Sequence, residues 1–135
     1  IHVVGSIYAN ENGYQNCLLL NFNKQITEAL NGNFFMVKDG KLVTPPIEDG
    51  CLNGIIRKKI IEIARKIDSY TLQINSISPF DLQKADELFI SNSVIGIQSI
   101  TKYRKKEFTN ENAKKLLGKL NAIARLTSKQ YLNLD

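Results

Sequence analysis

The dipeptide Asp39-Gly40, set between the apolar runs Asn33–Lys38 and Lys41–Thr44, constrains this chain more than any other feature. Both residue types accept positive φ, which a two-residue hairpin turn demands. The two runs are therefore expected to pair as antiparallel strands. Pro45-Pro46 follows the second run and stops it, because proline has no N–H for a ladder.

Around that hairpin the pattern alternates between strands and helices. Residues 17–20, Cys-Leu-Leu-Leu, form a short continuous apolar run, as in a strand buried on both faces. Residues 25–28 suggest a short strand, interrupted at Asn31-Gly32. The clearest helix covers 53–68, with Ile55, Ile56, Ile60, Ile63, Ala64 and Ile67 on one face. Arg57, Lys58, Lys59, Arg65 and Lys66 are assigned mostly to the opposite face. Residues 71–77 alternate as a half-buried strand, Ser78-Pro79 opens a short helix through 84, and 88–91 and 95–103 are two more strands. A last amphipathic helix runs over 110–126. Ile1, Val4, Ile7 and Tyr8 follow i, i+3, i+4 spacing, so residues 1–12 are expected to be the tail of a helix closed by Gly13. The fold class that follows is α/β (α+β): one compact domain over residues 1–135, a mixed sheet with flanking helices.

Composition narrows the function. Apolar residues make up 43% and charged residues 23%, which fits a packed core. No apolar run approaches the roughly 20 residues of a membrane-spanning helix, and no membrane partner is expected. The net charge is +5, and Lys102, Arg104, Lys105 and Lys106 form the densest basic cluster. Such a run more often protects a sheet edge than binds nucleic acid, and no nucleic-acid partner is expected. Cys17 and Cys51 suggest reduced thiols in a cytoplasmic protein. His2 is the only histidine, so a nucleophile–histidine device within the chain would have to use it. No metal site is expected. The chain opens at Ile1 without a methionine, which raises the expectation of a fragment.

Three places could carry chemistry. The start of the long helix, Leu52-Asn53-Gly54-Ile55-Ile56-Arg57, offers unpaired N–H groups and a partial positive charge, suited to a phosphate. The same residues would also serve as an ordinary N-cap, with Asn53 capping. Glu28 ends a short strand, where a carboxylate could hold a ring nitrogen in its protonated form or simply be solvated. Asn92-Ser93-Val94 leaves the strand 88–91 with hydroxyl and backbone donors that could grip an oxyanion or close an ordinary turn.

These residues, in order, resemble a known signature. Glu28, Asn33-Phe34-Phe35, Leu42-Val43-Thr44, the run from Leu52 to Arg57, and Ala85-Asp86-Glu87-Leu88-Phe89-Ile90 with Asn92-Ser93 are similar to the landmarks of class IV pyridoxal-phosphate enzymes. That family includes branched-chain and D-amino acid aminotransferases and aminodeoxychorismate lyases. The likeness runs from about Ile1 to Tyr103 and implies a carboxy-terminal, cofactor-binding domain. It implies pyridoxal 5'-phosphate as cofactor, with Glu28 at the ring nitrogen and Leu52 packed on the ring. The N–H groups of Ile55 and Ile56 and the Ser93 hydroxyl would hold the phosphate. The N–H groups of Ser93 and Val94 would bind the substrate carboxylate. Asn33 and Thr44 match the signature as scaffold.

The resemblance further implies an amino acid or amino-chorismate substrate and a homodimer, to which an apolar strand face around Ile97, Ile100 and Tyr103 could contribute, a core role for these residues being an equal alternative. Leu30 stands where the family usually has a small residue, and Ile56 replaces a common threonine. The run Ser91-Asn92-Ser93-Val94-Ile95-Gly96 looks closer to the lyase and D-amino acid branches. The Schiff-base lysine is expected just upstream of Ile1, since no lysine precedes Lys24, and the amino-terminal domain is expected to be missing. No catalytic residue is assigned within the chain, and Leu30 together with the absence of that lysine leaves a second reading, a non-catalytic module that keeps the cofactor fold for assembly or ligand sensing.

Overall fold

The computed structural model describes residues 5–11, 14–66, 70–94 and 96–132. They form three layers: two five-stranded sheets face to face, and two helices on the outer side of the second sheet. The outer sheet has the order β10-β9-β1-β2-β3, with β1 Gly5–Glu11, β2 Tyr14–Leu20, β3 Ile26–Ala29, β9 Lys102–Tyr103 and β10 Lys106–Glu107. The inner sheet has the order β6-β5-β4-β7-β8, with β4 Asn33–Lys38, β5 Lys41–Thr44, β6 Thr71–Ile74, β7 Glu87–Asn92 and β8 Gly96–Ile100. Helix α1 is Ile55–Lys66 and helix α2 is Glu111–Leu132.

The hairpin forms as expected. Asp39 and Gly40 both adopt positive φ, 51° and 77°, and Lys38 faces Lys41 across the turn. Strand β5 then pairs in parallel with β6, a connection that requires a crossover. Helix α1 supplies it and packs onto the inner sheet.

The inner sheet is buried on both faces, which explains why β4 and β7 read as nearly unbroken apolar runs. Phe34, Met36, Leu88 and Ile90 join one core with Leu18, Ile26 and Ala29 of the outer sheet. Phe35, Val37 and Phe89 join a second core with Ile60, Ile63 and Ala64 of α1 and Ala113, Leu116 and Leu120 of α2. The two cores use alternate residues of the same strands, as a side-chain period of two requires.

Several expectations change. Residues 5–11 are a strand, paired with β2 from Gly5↔Leu20 to Glu11↔Tyr14, whereas helical spacing had suggested a helix tail. A pattern of four apolar positions is too short to fix a helix, and the β2 ladder supplies partners for the backbone instead. Residues 1–4, including His2, and Gly13 lie outside the described residues, as do Ile67 and Ile95. The run 17–20 is a strand, but of its residues Leu18 alone is buried, because the outer sheet covers a core on one side. The segment 78–84 is a 3-10 helix, Pro79–Lys84, whose Asp81 accepts the Ser78 N–H at 2.9 Å. Ile97 is buried in the core beneath the helices, and Ile100 and Tyr103 in the core between the sheets, so the three do not form one exposed strand face. Lys106 donates to the Gln83 carbonyl at 2.6 Å, and Arg104 lies over the Tyr103 ring. The basic cluster thus decorates the narrow β9–β10 ribbon at a sheet edge.

Glu87 ties the helical layer to the sheet. It is buried, and its carboxylate accepts the N–H groups of Asn112 at 2.9 Å and Ala113 at 3.1 Å, as well as the Asn112 side-chain amide. A negative charge at the start of α2 satisfies donors that have no partner within the helix. Replacing Glu87 with Ala should cost about 3 kcal/mol, since buried donors lose charged acceptors. Thermal melts of the variant, with Glu87→Gln intermediate, check this.

Candidate functional site

Ile26 and Ala29 both point into the core between the sheets, although they lie three residues apart on one strand. Strict alternation forbids this. The ladder shows how it is achieved: Leu19 faces Glu28 and Leu20 faces Ile26, leaving Thr27 as an extra residue in a β-bulge. The Thr27 hydroxyl donates to the Leu19 carbonyl at 3.1 Å. Bulges re-aim side chains, and here Glu28 is directed away from the core while remaining only 9% exposed.

Glu28 meets the loop that leads into α1. Its Oε1 accepts the Leu52 N–H at 3.0 Å. Asn33, the first residue of β4, donates from Nδ2 to the Leu52 carbonyl at 2.6 Å. Both main-chain polar groups of Leu52 are therefore held by side chains from neighbouring strands. The loop is also tied from below. Arg57 is buried and donates to Asn53 Oδ1 and to the Pro45 carbonyl, each at 3.0 Å.

The sequence groups Arg57 with the basic residues mostly opposite the apolar face, but the structure buries it. It shares the buried face with Ile60, Ile61 and Ala64, because the 45–53 loop covers the first turn. Its i+3, i+4 and i+7 spacing to those residues was the available signal. Asn53 does not cap: its oxygen is used by Arg57, and the helix begins at Ile55 behind Gly54, which has no side chain. Ile55, expected on the apolar core face, is exposed at the helix start.

These residues border a cleft of about 290 Å³, lined by Glu28 and Leu30, by Asn31 to Asn33, by Leu52, Gly54, Ile55 and Ile56, and by Ser91 to Ser93. Glu28, Leu52, Ile55, Ile56 and Ser93 are thus brought together. Val94 is not among the lining residues; it is 91% exposed, and its N–H donates to Asn92 Oδ1 at 3.0 Å. Asn92 of the candidate oxyanion turn also lines the cleft, as do Asn31 and Gly32, which the sequence marks only as a break after a strand.

The donor set suits an anion at one end and a cationic ring nitrogen at the other. The start of α1 carries no acidic side chain in its first turn to neutralise it, and the exposed Ser93 hydroxyl stands near. Ser91 Oγ is buried at the cleft wall without a hydrogen-bond partner. Exposed Leu30, Leu52 and Ile55 give the rim an apolar character.

A family model for amino-transferase class IV matches residues 2–103. The chain belongs to the class IV aminotransferase family. Among relatives of this family member, the D-alanine aminotransferase of Listeria monocytogenes is 36% identical over 104 residues, 75% of this chain and 36% of the relative. Among solved structures, 4-amino-4-deoxychorismate lyase from Pseudomonas aeruginosa superposes with a TM-score of 0.75 at 28% identity, covering 84% of this chain and 42% of that one. The branched-chain amino acid aminotransferase of Thermobaculum terrenum, in its PLP-form, gives a TM-score of 0.75 at 26% identity, covering 83% and 38%. The chain spans about a third of the length of the curated relatives it matches.

Cys51, beside Leu52, is a buried thiol. Burial pushes it above its ordinary 9.0; nearby Arg57 opposes this, and the charge of Glu28 reinforces it. A thiol whose folded pKa is raised leaves stability intact below the unfolded value and erodes it as pH climbs through the folded one. Denaturant midpoints should hold to about pH 9 and then fall. In Cys51→Ala this part of the alkaline decline should disappear, which melts or urea titrations at stepped pH would reveal.

Proposed function

We propose that this chain is the cofactor-binding part of a pyridoxal 5'-phosphate enzyme acting on amino-group substrates. The observation that carries the reading is the Glu28–Leu52 hydrogen bond. It sets a nearly buried carboxylate against the start of α1, at a cleft whose other wall is Ser91 to Ser93.

Glu28 uses Oε1 for Leu52 and presents its carboxylate to the pyridine nitrogen, holding a proton there. The N–H groups of Ile55 and Ile56 grip the phosphate, aided by the helix dipole. The position of Ile56 allows this backbone contact but adds no hydroxyl. Ser93 contributes its hydroxyl to the phosphate, and Leu52 covers one face of the ring. When bound, the cofactor supplies an electron sink for charge developing at the substrate's α-carbon.

The substrate carboxylate is received at the 93–94 turn. Because Asn92 already holds the Val94 N–H, Ser93 offers the freer donor, and Val94 serves only if that turn opens. The cofactor-bearing lysine belongs to the part of the relatives' length that this chain does not span. The complete protein is a cytoplasmic homodimer in this reading, with a further domain over the exposed rim of Leu30, Leu52 and Ile55.

Two outcomes test the proposal. The 135-residue chain by itself should show no transaminase turnover with any amino donor. In the full-length gene product, Glu28→Gln should lower kcat about a hundredfold, close to 3 kcal/mol, with the melting temperature little changed. Unchanged turnover would refute the role given to Glu28. Pyruvate release from aminodeoxychorismate, set against glutamate formation from leucine or D-alanine, separates a lyase from an aminotransferase.

A further inference from the structure

We infer that Asn33 is a positioning residue that fixes the distance between Glu28 and the first turn of α1. This rests on the cofactor reading above and adds a residue that the family signature marks only as scaffold.

Asn33 opens β4 directly opposite Ser91 of β7 and is 7% exposed. Both ends of its amide are engaged by the loop before α1. Nδ2 donates to the Leu52 carbonyl at 2.6 Å. Oδ1 lies so close to Gly54 that a Cβ on that glycine would stand 2.5 Å from it. Gly54 is therefore glycine because the Asn33 oxygen occupies the space of a side chain. One amide thus sets two points of the loop, the residue bound by Glu28 and the residue immediately before the helix.

The strand end that carries Asn33 is itself held closely. Gly32 approaches the Ser91 carbonyl so tightly that a Cβ there would be 2.4 Å away. Asn33 is consequently anchored to the β4–β7 ladder and cannot follow the loop if the loop moves. The rigid inner sheet determines the position of the loop, and Asn33 transmits that constraint.

A ligand that touches Glu28 at one end and the helix start at the other depends on that separation. A ligand that touches only the helix start does not. Loss of Asn33 should therefore weaken the two-ended ligand far more than a simple anion.

The test uses the full-length gene product and compares pyridoxal 5'-phosphate with inorganic phosphate. Asn33→Ala should weaken pyridoxal 5'-phosphate at least about tenfold, the effect of one buried hydrogen bond, and change phosphate affinity less than about threefold. It should also shift the pH at which the bound cofactor's visible absorbance changes, since the group facing the ring nitrogen is no longer fixed. Asn33→Asp, which keeps the shape and removes the donor to Leu52, should act in the same direction. Gly54→Ala displaces Asn33 from the loop side without altering β4, and serves if the Asn33 variants do not fold.

Equal cofactor affinity and an unchanged absorbance profile in folded variants would overturn the inference. So would an equal loss for both ligands, because that is the signature of general loosening. If the unaltered protein binds no pyridoxal 5'-phosphate, the cofactor reading itself fails, a result distinct from either.

Discussion

Phe35 of β4 and Phe89 of β7 face each other across the central ladder, their rings stacked at 5.1 Å and 7° apart. They belong to the core beneath the two helices, while their neighbours Phe34, Leu88 and Ile90 fill the core toward the other sheet. This doubly buried strand pair positions everything of functional interest. At one end of it Asn33 meets Ser91, and the cleft opens where the ladder runs out, so its wall inherits the rigidity of this doubly buried strand pair. Removing either ring would leave a cavity shared by both strands.

The cleft itself is assembled from four segments that are distant in sequence. A bulged strand supplies Glu28, a ladder end supplies Asn33, a loop stapled by Arg57 supplies Leu52 and Gly54, and a turn supplies Ser93. Each is fixed by a different device. The bulge satisfies two core positions while releasing the carboxylate. The buried guanidinium ties a loop with hydrogen bonds where apolar packing alone would leave it free, at the cost of desolvating a charge. Preorganisation of this kind is what a site needs to favour charge that develops during reaction.

Family membership and the geometry agree on the region and differ in detail. Of the residues to which the class IV resemblance gives a cofactor or substrate contact, Glu28, Leu52, Ile55, Ile56 and Ser93 line one cleft, whereas Val94 does not and its N–H is held by Asn92. The apolar rim formed by Leu30, Leu52 and Ile55 is exposed here, in a chain covering about a third of its relatives' length. Leu30, which departs from the family's usual small residue, belongs to this rim, where its side chain is 73% exposed.

Local chemistry was legible from the residues alone. Asp39-Gly40 dictates its hairpin because few residue pairs tolerate positive φ twice in succession, and the 3.6-residue period of α1 reports a face that packs on a sheet. The helix start and the Glu28 carboxylate could be named as candidates from residue type and short spacing, but that both border one cleft is a property of the fold. Three things were decided by tertiary structure. The first strand's backbone pairs with β2 against a weak helical pattern; Arg57 is drawn beneath a loop; and Thr27 bulges so that Glu28 turns to the cleft. All three depend on partners ten or more residues away or on the register of a ladder, and a linear sequence does not encode register except through the packing it finally satisfies.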